Sequence, residues 1–208
     1  MKRFKFFTDF EKEEKWLNEM AREGYAFTKK SIGYEFQPAE PERASIKIDY
    51  RSFKNKESFE DYRALFDDSG WKHIAGTKSS GLQYFKRKDE SGSEDIFSDI
   101  DSKAGRYQRL AHMWITLAFT FIPIFIALSM NRAIQVEALL NPKLLYYTPG
   151  LWEKAGMAFV GAFLFETPFV LLRLSWLSFP VLIFLYFIFA AKAKKQYQRT
   201  LKEGSGKV

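Results

Sequence analysis

Apolar positions along this chain follow two regimes. Up to about residue 90 they come in short runs whose period changes; from residue 111 they come in long unbroken blocks. In the first regime, residues 4–7 (FKFF) form a short aromatic run that predicts a strand. Phe10, Trp16, Leu17, Met20 and Ala21 then recur at helical spacing. Thr8 with Glu11 three positions on predicts a capping box, and Gly24 supplies the left-handed residue that ends the helix. Residues 25–30 and 34–37 predict two strands around a turn at 31–33. The same plan then recurs. Residues 45–51 (SIKIDYR) alternate as a half-buried strand does. A helix follows, starting at Ser58 or a turn earlier at Asn55, with Phe59, Tyr62, Leu65 and Phe66 as its apolar stripe and Gly70 as its stop. Residues 71–75 and 82–87 predict a hairpin. Aligning Gly24 with Gly70 also aligns Tyr25 with Trp71 and Trp16 with Tyr62. The expected fold is therefore α+β: a duplicated βαββ sandwich over residues 1–90, with two helices on one face of an antiparallel-rich sheet.

In the second regime, residues 111–130 (AHMWITLAFTFIPIFIALSM) carry no fixed charge, and His112 sits at their start. Twenty helical residues rise about 30 Å, the thickness of a bilayer's hydrocarbon core, which predicts a transmembrane helix. Residues 89–95 (DESGSED) predict a polar hinge, and 91–110 form a linker and juxtamembrane helix into that span. From 155 to 191 the chain is apolar again, broken only by Glu166-Thr167-Pro168 and Arg173. Either 169–191 is one span with 151–165 interfacial or packed, or 155–172 and 174–191 are separate spans. Lys103, Arg106 and Arg109 precede the first span, while Lys192, Lys194, Lys195 and Arg199 follow the last. Positive flanks stay cytoplasmic, so both ends belong inside and the number of spans is even. Two spans, 111–130 and 169–191, and a basic tail at 192–208 follow. The location implied is the cell membrane, multi-pass, with both termini cytoplasmic.

Charge sharpens the division. Residues 1–95 are net zero, 96–111 net +1 and 112–208 net +6, so the basic balance of the chain is a property of its membrane half. The first domain has no cationic excess from which to build a nucleic-acid face, and the basic flanks are candidates for topology and lipid contact. Zero cysteines exclude disulfides, thiolate metal sites and thiol nucleophiles. His73 and His112 stand on opposite sides of the linker, and no metal-ligand spacing, phosphate-binding glycine loop or nucleophile elbow is present. Glu13-Glu14 and Asp67-Asp68 are expected on solvated helix faces. Glu166 and Arg173, seven apart on one face of a helix that runs through Pro168, are the candidate membrane polar pair. No catalytic, cofactor or metal residue is assigned, and oligomeric state is left open.

FKFFTDFEKEEKWLNEMAREGY, then IDYR, DYRALFDDSGW and IFSDIDSK together resemble the bacterial domain-of-unknown-function family 2812 over about residues 1–105. The resemblance implies a Firmicutes membrane protein encoded beside PadR-like regulators, hence a regulatory or stress-linked role with a cytoplasmic regulatory partner, and it carries over no catalytic residue. The function expected is a non-enzymatic, membrane-anchored regulatory or sensory protein without cofactor, whose cytoplasmic domain binds a protein or small ligand. Its rival is a transport or envelope-stress resistance accessory acting through Glu166 and Arg173.

Overall fold

The computed structural model describes residues 1–89, 94–131 and 136–205, so the hinge expected at 89–95 lies in part outside the described residues. The protein is mixed α+β, with two small antiparallel sheets and long apolar helices. It divides into two compact units: residues 1–112 with 191–208, and residues 113–190.

The first unit holds β1 (Lys2–Arg3), α1 (Phe10–Arg22), β2 (Tyr25–Lys30), β3 (Tyr34–Pro38), β4 (Ile46–Tyr50), α2 (Lys56–Asp68), β5 (Trp71–Ala75) and β6 (Leu82–Arg87). The strands form two sheets, ordered β1-β3-β2 and β4-β6-β5, instead of the single sheet expected. The helices do not share a face of one sheet either. Neighbouring residues of a strand point to opposite faces. On β6, Tyr84 joins the core under α1 with Phe10, Leu17, Phe27 and Ile48, whereas Phe85 joins a separate core with Phe59, Tyr62 and Trp71 under α2. The second sheet is therefore covered by α1 on one face and α2 on the other. β5 serves both cores because a bulge between His73 and Ala75 resets its alternation.

Two local expectations are corrected. The first strand is Lys2–Arg3, which pairs with Glu35 and Tyr34, and the N-terminal ammonium donates to the Phe36 carbonyl at 2.7 Å. Phe4 and Phe6 stay exposed, while Phe7 turns onto Trp16 and Tyr34. The cap of α1 is Asp9, not Thr8; its carboxylate accepts from the Glu11 amide. Asn55 caps α2 in the same way, accepting from Ser58. Both helices stop at a glycine with φ of 84°, Gly24 and Gly70.

α3 (Ile100–Met130) begins in the first unit and continues into the second. The second unit adds three single 3-10 turns (Val136–Leu139, Pro142–Leu145, Leu151–Glu153), α4 (Gly156–Trp176) and the start of α5 (Phe179–Ser205). Its helices α3 and α5 run antiparallel through aromatic pairs: Trp114 meets Tyr186 and Phe189, and Phe121 meets Phe179 and Tyr186. α4 passes through Pro168 without a break, and the break falls at Leu177 and Ser178. Ile100–Met130 and Gly156–Ser205 are two stretches long and apolar enough to cross a membrane.

Candidate functional site

β4 is an edge strand, and an edge leaves every second residue's N–H and C=O unpaired. Here side chains take the place of a neighbouring strand. From α1, Asn18 accepts from Ile46 N at 2.7 Å and Glu14 accepts from Ile48 N at 3.1 Å. From α3, Arg106 donates to the Ile48 carbonyl at 2.7 Å and Arg109 to the Tyr50 carbonyl at 2.5 Å. The root of the apolar helix is thus fastened to the edge of the sheet.

Arg106 is fully buried. Its guanidinium pairs with Glu14 at 2.5 Å and lies 5.1 to 5.3 Å from the rings of Phe10, Phe97 and Tyr107. Burial raises the Glu14 pKa, with Arg106 and Lys47 pulling it back. Two guanidinium nitrogens, Nε and Nη2, have no hydrogen-bond partner among the described residues; Nη2 lies 4.0 Å from Glu11. Arg109 reaches Asp49 at 2.6 Å, and Lys103 reaches Asp95 at 2.9 Å. These three cations, candidates for topology or lipid contact, each also pair with a carboxylate of the first unit, and Arg106 is fully buried. Spacing could not show this, because their partners lie up to 92 positions away.

Glu13 and Glu14 are likewise not solvated: they are 2% and 4% exposed. One Glu13 oxygen accepts from Tyr34, Tyr84 and Lys30 at 2.7, 2.7 and 2.9 Å. Burial, then the Glu13 charge, pushes both phenols above their ordinary range, so they remain donors. Asp67 and Asp68 are exposed, as expected.

The end of α5 packs on the same unit. Gln196 donates to Asp9, the cap of α1, at 3.2 Å; Asp9 also accepts from Tyr107 of α3 at 3.0 Å. Tyr197 packs on the core under α1, Ala193 and Thr200 are buried, and Gly204 sits so close to Ile100 that a Cβ there would lie 2.5 Å from it. Lys194 and Lys195 are exposed, and Arg199 pairs with Glu203 at 2.7 Å.

Beside the α3 root, a cavity of about 370 Å³ opens between β4, α2 and the segment before α3. Asp49, Arg51, Tyr62, Phe66, Phe97 and Arg109 are among its lining residues. Asp49 is spent on Arg109, on the Tyr50 amide and on the Tyr62 hydroxyl at 2.8 Å. Sequence pattern gave no pointer to this cavity, whose walls come from four separate stretches.

In the second unit the expected pair is brought together. Glu166 accepts from the amides of Tyr147 and Thr148 and lies 3.0 Å from Arg173, which also donates to the Leu145 carbonyl and stacks on Tyr147. The pair clasps α4 to the turn before it. Among the described residues no group of three His, Asp or Glu could hold a metal.

A model described as protein of unknown function (DUF2812) matches residues 9–119. The chain belongs to that family. The match runs from the cap of α1 into the apolar part of α3, so it takes in both arginines of the root and the strand edge they hold. No curated protein and no solved structure matches the chain.

Proposed function

We propose that this DUF2812 member is a non-enzymatic bacterial membrane protein with a regulatory or sensory role. Its first unit faces the cytoplasm, binds a small ligand or a protein, and passes its state to the apolar helices. The observation that carries this is the shared root: α3 and α5 both end in one core, joined through Asp9, which accepts from Tyr107 of one and Gln196 of the other. A change around α1 then bears on both helices at once. α3 leaves that unit and α5 returns to it, which favours an even number of crossings and both termini inside.

The duplication belongs to the same reading. The caps Asp9 and Asn55, the stop glycines Gly24 and Gly70, and the edge-strand bulges after Phe27 and after His73 are all 46 positions apart. The copies have diverged in role: α1 carries the buried Glu13 and Glu14, where α2 has Phe59 and an exposed Glu60. The rival, a transport or resistance accessory working through Glu166 and Arg173, is less favoured because the clasp already occupies both side chains.

The chain lacks cysteine, so exposed Lys12 on α1 and Lys202 on α5 can be replaced by cysteines and spin-labelled in the full chain in nanodiscs. Releasing the α3 root with Arg106→Met is expected to broaden the distance distribution between the labels. An unchanged distribution means the two roots are independent, and the coupling idea is then lost.

A further inference from the structure

The cavity beside the α3 root is lined by both charged and apolar side chains. Among the charged ones, Asp49 is neutralised by Arg109 and fully engaged. Arg51 is different. Its side chain is exposed, and its guanidinium lies 5.5 Å from the Tyr62 ring and makes no hydrogen bond or ion pair among the described residues, while its backbone is held by Gly81 and Gln83. Two guanidiniums against one carboxylate leave the lining with one positive charge in excess. The apolar part of the lining is Leu65, Phe66, Ile96 and Phe97, and Leu65 is 64% exposed. A volume of about 370 Å³ suits a small organic molecule and is too small for a folded segment.

We propose that this cavity binds an organic monocarboxylate with a flat or branched apolar body. The carboxylate meets Arg51, and the body lies between Phe66 and Phe97 with Leu65 at the rim. A charge-assisted, planar pairing is what a free guanidinium offers a carboxylate. A bare inorganic anion leaves the apolar lining unfilled, and a neutral ring leaves Arg51 unanswered. The proposal rests on the reading of the first unit as a ligand-binding domain, and it supplies the chemical class. The wall of the cavity includes Ser102 and Arg109 of α3, so an occupant touches the root of the apolar helix directly.

The test uses the full chain in nanodiscs with phenylacetate, its neutral isostere phenylacetamide, and inorganic phosphate, followed by calorimetry and thermal unfolding. Phenylacetate is expected to bind and to raise the unfolding temperature, and phenylacetamide to bind at least tenfold more weakly. Arg51→Gln is expected to erase the difference between acid and amide. Leu65→Ser is expected to weaken both alike. Both residues are exposed, so neither change threatens the fold. Phosphate binding as tightly as phenylacetate, or no binding by either organic compound, overturns the proposal. That failure leaves the regulatory reading standing, since the Lys12–Lys202 response to Arg106→Met is measured without ligand. Binding that leaves the label separation unmoved supports the site and overturns the regulatory reading instead.

Discussion

At the scale of single residues, the decisive feature is a charge pair that the domain has taken inside. Breaking a buried pair by removing one partner strands the other charge, at a cost of about 3–5 kcal/mol, whereas replacing both by apolar groups is often neutral. Arg106→Met is therefore expected to lower the stability of the first unit by about that amount, and Glu14→Met with Arg106→Met to recover most of it. Urea unfolding of the full chain in detergent, followed by tryptophan fluorescence, measures both. Equal losses for the single and double variants show that hydrogen bonds to the β4 edge matter more than the pair. His73 gives a pH signature. Burial lowers its pKa, although its hydrogen bond to Gln83 at 2.9 Å opposes this, and Arg63 and Glu60 also face it. The native state then takes up this proton less readily than the unfolded chain. Stability from this group is full above about pH 6.5 and falls as pH drops below it, by at most about 1.4 kcal/mol per pH unit. His73→Gln keeps a donor for Gln83 and is expected to flatten that slope. Unfolding midpoints compared between the two proteins from pH 7.5 to 5.5 cancel the opposite trend from Glu14.

At the scale of elements, the strands and helices were legible wherever periodicity and punctuation agreed. Residues 25–30, 71–75 and 82–87 stand where the pattern put them, as do the stops at Gly24 and Gly70. What failed had a non-local cause. Three phenylalanines within residues 4–7 predict a strand, but the pairing edge of β3 lies opposite Lys2 and Arg3. Thr8 and Asp9 are both good caps, and local sequence does not choose between them. Glu13 and Glu14 looked solvated because the tyrosines and arginine that receive them come from β3, β6 and α3. The cavity has no sequence signature for the same reason. The two stop glycines allow a matched test. An L residue at positive φ costs about 1–2 kcal/mol through its backbone. At Gly70 a Cβ would meet nothing within 4 Å, whereas at Gly24 it would lie 3.0 Å from the Ala39 carbonyl oxygen. Gly70→Ala is thus expected to cost only the backbone term, and Gly24→Ala visibly more, in thermal unfolding of the full chain. Equal costs mean that the Ala39 loop yields freely.

At the scale of the whole molecule, connectivity constrains what the apolar helices can do. α3 departs from the first unit at His112, and α5 rejoins it at Ala191. That unit carries buried ion pairs and a charged surface, which keep it out of the hydrocarbon. In the proposed reading, with this unit in the cytoplasm, each departure across a bilayer requires a return, which disfavours three independent crossings by α3, α4 and α5. The helical stretches 156–176 and 179–191, separated by the break at Leu177 and Ser178, together rise about 51 Å, beyond one hydrocarbon thickness of about 30 Å, so in the proposed topology a single return uses only part of them. The part left over falls naturally to α4, which Glu166 ties to the turn at Tyr147 and Thr148. Single cysteines test this in a chain that has none of its own. Lys154→Cys, just before α4, is expected to react with a membrane-impermeant maleimide in intact cells. Lys12→Cys and Ser205→Cys are expected to react only after lysis. Labelling of Ser205→Cys from outside, with Lys12→Cys protected, would place the two ends of one folded unit on opposite sides of the membrane. The packing of Tyr197 and Gln196 on α1 could not then exist in the cell, and the shared root would have to be abandoned along with the coupling built on it.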